Sequence, residues 1–265
     1  MNGISSKPKI SCGIFDALSS YVASSFADYL FISGLSLSAT QFFEVDSGLH
    51  SIERVANLAL TLQTLPWHKP VIADIDDAFG DYTLAGFHAK RLVNAGVFGV
   101  VIEDQSRPRQ CGHKPGKSLH PIQNYVDGLH RIRQSEPDIF IVARTDAETD
   151  YDIKERTDIL NQLFIDRIID AVQIDGIRTL QEITATRSSL SEEISYVANH
   201  VDGGKLEKCS LQELKRAGVD ILTLSTFVLT NYIESLKSLK GRLDQGVLPT
   251  CSITLAEIDA ILQPE

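Results

Sequence analysis

The chain is predicted to be an α/β protein: a (β/α)8 TIM barrel built from residues 1–265 as a single domain. Three observations carry that prediction. Short β-branched runs alternate with longer amphipathic stretches, roughly every 25–35 residues. The short runs are continuously apolar, as expected when both faces of a parallel sheet are covered. Finally, eight such units fill a chain of 265 residues, close to the length of about 250 that an α/β barrel reaches as one domain. A doubly wound open sheet is the alternative, because a count of units does not prove closure.

The strands fall at 10–15, 29–32, 71–73, 99–102, 139–143, 171–174, 194–197 and 220–224. Helices are expected near 17–26, 51–65, 84–95, 121–134, 152–167, 178–187, 210–217 and 226–240. Gly96 and Gly218 follow periodic segments and precede strands, as C-terminal caps do. Ser210, with Glu213 three residues on, forms a capping-box pattern. No low-complexity stretch or Pro/Gly linker divides the chain.

Composition excludes several classes. Hydrophobic residues make up 43% and charged residues 23%, which suits a packed core. No apolar run approaches the ~18 residues of a membrane span. The first residues lack a secretory h-region, so a cytoplasmic protein is expected. A net charge of −10 opposes binding to nucleic acid or anionic lipid. An anionic substrate would therefore need a local cation.

Polar residues collect at the C-terminal ends of six consecutive strands: Ser33-Gly34-Leu35-Ser36, Asp74-Ile75-Asp76-Asp77, Glu103-Asp104-Gln105, Arg144-Thr145-Asp146, Asp175, and Asn199-His200. In a barrel these share one mouth, where active sites of this fold lie. Converging carboxylates repel one another, and a hard divalent cation relieves that repulsion. Asp74 and Asp76 can both face it only if the chain turns there, for which Gly80 and the loop composition speak. Asp77 and Asp104 read as helix N-caps. The segment 106–118, SRPRQCGHKPGKS, is basic within an acidic protein and rich in Pro and Gly. It is expected to form a mobile flap after the fourth strand, with the Cys111 thiolate favoured by neighbouring cations. Cys12, Cys209 and Cys251 look like ordinary small apolar residues.

The segments SGLSLSAT, VIADIDDAFGD, GVVIEDQ, CGHKPGK, IVARTDA and ANHVDGGK occur in one order from about Gly13 to Leu224. In this they resemble the isocitrate lyase / phosphoenolpyruvate mutase superfamily. The resemblance implies a Mg²⁺ cofactor, with Mn²⁺ an alternative, and a small anionic oxo- or hydroxy-acid substrate. It implies that Asp74 binds the metal directly, with Asp46, Asp76 and Glu103 holding it largely through water, Asp46 also lying near substrate. Ser33, Gly34 and Leu35 would bind the substrate carboxylate. Arg144 would pair with substrate oxygens, and Asn199 and Asp175 would lie along the substrate. Cys111, with Gly112 and His113, would form the proton-transfer signature of the lyases, and Glu103 would join Cys111, Arg144 and His113 in catalysis. A homo-oligomer, dimer or tetramer, is implied as well. The chain departs from the pattern at Arg109, where lyases carry Lys, at Asp175, where they carry Glu, and at Thr223.

Three functions follow as expectations. One is a lyase cleaving a C–C bond of a methylisocitrate- or alkylmalate-type 2-hydroxy acid. The second is a mutase or hydrolase acting at a P–C bond. The third is a member without catalysis that binds a metabolite. Phe42, Phe43, Gln173 and Thr223 are the side chains expected to line the pocket and select the substrate.

Overall fold

The computed structural model describes residues 7–48, 51–112, 114–175, 177–248, 250 and 252–263. Eight parallel strands run β1 Lys9–Ile14, β2 Tyr29–Ile32, β3 Val71–Asp74, β4 Gly99–Glu103, β5 Phe140–Thr145, β6 Ala171–Ile174, β7 Ser195–Asn199 and β8 Ile221–Leu224. Each pairs with its neighbours in sequence, and β8 returns to β1 with Leu222 beside Ile10. That last pairing closes the sheet and decides against the open alternative.

The helices are α1 Ala17–Ser24, α2 Gly34–Phe42, α3 Ile52–Gln63, α4 Ala85–Val93, α5 Ile122–Ser135, α6 Asp150–Ile165, α7 Leu180–Ser188, α8 Leu211–Arg216, α9 Phe227–Asp244 and α10 Leu255–Leu262. Ser210 does close a capping box with Glu213 on α8. Gly96 and Gly218 take positive φ of 84° and 101°, as their C-terminal positions require. The sequence reading places no helix at α2 or α10. In α2 the serines hide the periodicity: Ser36 and Ser38 are buried beside Leu37. Ser33 starts this helix by accepting the Ser36 N–H at 3.3 Å.

The core has two parts. Most buried side chains lie between strands and helices. A second cluster fills the barrel: Phe31, Ile72, Val101, Val142, Ala171, Val197 and Ile221, one from each of β2 to β8. Each large member contributes about 1.5–3 kcal/mol by leaving water. Side chains alternate faces along a strand, so the residue two positions further on also points inward. Those residues are Ser33, Asp74, Glu103, Arg144, Gln173, Asn199 and Thr223. The apolar plug thus forms the floor of a polar layer.

Outside the barrel, Tyr232, Ile233, Leu236, Leu239 and Leu243 of α9 are exposed. So are Leu255, Ile258 and Leu262 of α10, a helix that buries no residue. Among the described residues, no helix is long and apolar enough to cross a membrane.

Gly13 on β1 lies against the start of α9. A Cβ there would stand 2.0 Å from the Ser225 carbonyl oxygen. Gly13→Ala is expected to lower stability by about 1–3 kcal/mol, read from the urea midpoint, since backbone must shift to admit it. An unchanged midpoint would show the contact to be loose.

Candidate active site

Arg144 organises one half of the mouth. Its Nε donates to Asp146 Oδ2 at 2.9 Å, and Nη2 donates to Asp146 Oδ1 at 3.0 Å. The same Nη2 lies 3.0 Å from Asp175 and 3.3 Å from Glu103. Lys117 adds a second cation, 2.8 Å from Asp146. Burial alone would raise the Asp146 carboxyl, but Arg144 and Lys117 outweigh it and hold the group well below the usual range. Two tyrosines support the strand ends from behind: the Tyr82 hydroxyl donates to the Glu103 carbonyl at 2.6 Å, and that of Tyr125 donates to the Arg144 carbonyl at 2.9 Å.

At the end of β3 the chain does turn. The turn sits at Asp76 itself, with φ of 49°, before Gly80 is reached. The Asp76 N–H donates to Asp74 Oδ1 at 3.1 Å, so both carboxylates stay at the mouth. Asp104 corrects the N-cap expectation, whereas Asp77 does stand at the N-cap position of a short 3-10 turn, Ala78–Gly80. Asp77 makes no side-chain cap bond and instead receives Arg107 in a two-pronged pair at 2.8 and 2.9 Å. Asp104 accepts the Thr145 hydroxyl at 2.6 Å and the Asp146 N–H at 2.9 Å, fixing the end of β5. Burial pushes the Asp104 carboxyl up to about 6 against those bonds.

Residues 106–112 and 114–118 fold over the mouth. Gln105 and Gln110 tie the base of this loop reciprocally, at 2.6 and 2.9 Å. The Lys117 ammonium donates to the Gly112 carbonyl at 2.6 Å. A Cβ at Gly112 would stand 2.1 Å from Asp175 Oδ2 and 2.3 Å from Arg144 Nη2, so only glycine lets the loop descend this far onto the ion cluster. Arg109 goes deepest. Its Nε and Nη2 donate to the two oxygens of Glu103 at 2.8 and 3.2 Å. Its Nη1 lies 2.5 Å from Asp46 and 3.0 Å from Asp76. These carboxylates raise the Arg109 pKa despite its burial.

Below the loop lies a cavity of about 470 Å³, including space open to solvent. Ser33, Leu35, Asp46, Asp74, Cys111, Gly112, Arg144, Asp175 and Asn199 all line it. Gly34 opens α2 beside it, where the first backbone N–H groups of a helix face outward and attract anions. Gln173 and Thr223 are lining residues as expected, whereas Phe42 and Phe43 are exposed, Phe43 at 99%. Phe43 itself takes the αL conformation at the end of α2, and Asp46, three residues on, is back at the cavity. His113 and Cys251 lie outside the described residues. Cys12 and Cys209 are free thiols away from the cavity, and burial pushes Cys12 up to about 12.

Two contributors had gone unassigned. Lys117 and Asp146 are central to the ion cluster, and the signal for them was their place in the basic loop and at a strand end. The role of Arg109 had no local signal at all.

A metal needs a suitable donor set. Asp46, Asp74, Asp76 and Glu103 supply only hard oxygen ligands, the kind that Mg²⁺ takes. Around the mouth six carboxylates face three cations, Arg109, Arg144 and Lys117. Burial, only partly offset by the arginines, raises Asp76 and pushes Glu103 up to about 7. The donor chemistry and the charge imbalance therefore fit a divalent ion. In the arrangement described, however, Arg109 stands among three of the four carboxylates, and the described residues contain no ready cluster of metal-ligating side chains.

A model of the phosphoenolpyruvate phosphomutase family matches residues 5–242. The chain belongs to that family. Among curated relatives, the 2-methylisocitrate lyase of Halalkalibacterium halodurans is 28% identical over 79% of this chain and 69% of its own length. The 2,3-dimethylmalate lyase of Eubacterium barkeri is 26% identical over 97% of this chain and 90% of its own. Among solved structures, an oxaloacetate acetylhydrolase bound to 3,3-difluorooxalacetate superposes with a TM-score of 0.88 at 22% identity, covering 97% of this chain and 89% of that one. The relatives are thus named enzymes, and the structural likeness establishes the shared barrel.

Lys117→Met should cost about 3–5 kcal/mol at pH 7, because it removes one partner of a buried pair. The sign with pH follows from the lowered Asp146: its stabilising charge is present above the unfolded carboxylate range and is lost as acid protonates the folded group. The gap between variant and wild type should therefore narrow as the pH falls below the unfolded carboxylate range toward the lower folded value, measured as urea midpoints from pH 4 down to pH 2.

Proposed function

We propose that this protein is a lyase that cleaves a C–C bond of a substituted 2-hydroxy di- or tricarboxylate, of methylisocitrate or alkylmalate type. The observation that carries this reading is the cavity itself. Its lining brings together a loop cysteine, Cys111, with Arg144 and with Ser33 and Leu35 at the N-terminus of α2. That arrangement can hold two carboxylates of one small molecule and still present a thiol to the carbon between them.

Each residue has a task. Ser33, Gly34 and Leu35 bind one substrate carboxylate through hydroxyl and backbone N–H groups, and Arg144 orients a second. Glu103, pushed up to about 7 by burial, is the carboxylate suited to accept the 2-hydroxyl proton. As that proton leaves, the C2–C3 bond breaks and its electrons pass to the departing fragment as an enolate. The Cys111 thiol, aided by His113, then delivers a proton to that carbon. The products are a 2-oxo acid and a carboxylate. Asn199 and Asp175 lie along the wall and set the length and polarity accepted. Mg²⁺ or Mn²⁺, held by Asp74 with Asp46, Asp76 and Glu103 around it, would supply positive charge to the developing oxyanion. The loop excludes water from the cavity.

The family description favours a second reading, a mutase or hydrolase acting at a P–C bond. Substrate trials separate the two. Protein with Mg²⁺ is incubated with 2-alkylmalates and methylisocitrate, and 2-oxo acid release is followed by a coupled lactate dehydrogenase assay. Turnover of phosphonopyruvate or phosphoenolpyruvate instead would establish the mutase reading. Absence of both, with ligand binding retained, would indicate a metabolite-binding member. We place the protein in the cytoplasm as a homo-oligomer, dimer or tetramer. The uncovered apolar residues of α9 and α10 support assembly, and the net charge of −10 speaks against nucleic acid and membrane partners.

Cys111→Ala is expected to lower turnover by at least about 10²-fold, the scale of a lost proton donor. Binding of the 2-oxo acid product should persist, and retained turnover would remove Cys111 from this role. Asp74→Ala is expected to abolish Mg²⁺ binding by calorimetry, and unchanged affinity would overturn the metal assignment.

A further inference from the structure

Arg109 makes four contacts to three of the carboxylates that would hold a divalent ion. Both oxygens of Glu103 receive it, and the same Nη1 bridges the inner oxygens of Asp46 and Asp76. An ion drawing on those carboxylates would compete with the guanidinium for the same oxygens. The fit is built for it. Gly48 takes a positive φ of 70°, and a Cβ there would stand 2.4 Å from the Arg109 Cδ. Two residues earlier, Arg107 donates to the Gly48 carbonyl at 3.0 Å and pins Asp77, so both walls of the channel around the Arg109 stem are tied to the loop.

We propose that Arg109 is an internal cation that competes with the divalent ion for the carboxylate cage and thereby latches the loop over the mouth. The competition rests on the metal site proposed above and adds a second state to it. With Arg109 in, the cage is partly neutralised by a single charge and the loop lies on Arg144, Asp146 and Asp175 through Gly112. When a divalent ion enters, it brings two charges to the same oxygens and Arg109 withdraws. Arg109 and Cys111 are two residues apart, so the withdrawal loosens the loop that carries the thiol, and a bound substrate then draws it back over the mouth. Ion binding and loop position are then linked, and each shifts the other's equilibrium by the same factor. A lysine could not substitute for this fork, since it offers one ammonium where Arg109 offers three separate nitrogens.

The test needs no substrate. Mg²⁺ binding to the metal-free full-length protein is measured by calorimetry for wild type and Arg109→Gln. A latch that leaves the cage open a tenth of the time or less weakens apparent affinity by about tenfold or more, so Arg109→Gln should bind Mg²⁺ at least that much more tightly. The variant should also melt lower than wild type in EDTA and regain that loss when Mg²⁺ is added, with a larger Mg²⁺-induced rise in Tm than wild type shows. In wild type, Mg²⁺ alone should raise deuterium uptake over residues 105–112. Equal Mg²⁺ affinity in wild type and variant would overturn the latch while leaving the metal site standing. Failure of both to bind Mg²⁺ would overturn the two together. Should Arg109→Gln not fold, Arg109→Lys replaces it, with a smaller gain in affinity expected and an unchanged affinity counting against the latch.

Discussion

Charge compensation in a nearly dry space governs the mouth of this barrel. The inner face of the strands ends in carboxylates, and a buried carboxylate needs a hydrogen-bonded cation or a proton. Arg144 and Lys117 meet that need on the side of β5 and β6, where Asp146 is held firmly ionised. On the side of β3 and β4 the acids outnumber their partners, and Asp76 and Glu103 are pushed toward protonation. The contrast divides the site into a settled half that orients and a strained half that can still take up a proton or a cation.

The loop after β4 is the answer the chain gives to that imbalance. It carries Arg107, Arg109 and Lys117 from outside the barrel to five acids on four different segments, so closing the loop and neutralising the mouth are one event. Its glycine at position 112 is there because the ion cluster leaves no room for a Cβ. Tyr82, Tyr125 and Asp104 do the complementary work from below by holding the strand ends at fixed positions. Rigid strand ends under a separately tethered cover suit chemistry that needs water excluded and charges preset.

Much of this was legible in the residues. Continuous apolar strands, regular spacing and the Ser210 and Gly218 punctuation are local properties, and they survived into the structure. The polar layer was legible for the same reason: alternation places Asp74, Glu103, Arg144 and Asn199 two residues beyond the apolar plug whatever the rest of the fold does. Helix α2 was hidden because its buried face is made of serines. The N-cap reading held for Asp77 in position only and failed at Asp104, because the side-chain partners, Arg107 and Thr145, lie 30 and 41 residues away. The expected pocket residues Phe42 and Phe43 were near the site in sequence, but Phe42 ends α2 on its outer side under Arg54 and Phe43, in a left-handed conformation, is exposed.

By itself, then, the sequence determined the barrel units, the face each strand residue shows and the set of acids at one end, since these follow from periods of 2 and 3.6 residues. Only the tertiary structure decided closure, through β8 returning to β1, and the pairing of charges across the mouth. Arg109 shows the difference most sharply. In the chain it is one of four cations in a basic loop; in the fold it is the cation inside an acidic cage. Its partners lie 6, 33 and 63 positions away along the chain, at Glu103, Asp76 and Asp46. Periodicity carries no information across such separations, because only the closed barrel brings those oxygens within reach of one guanidinium.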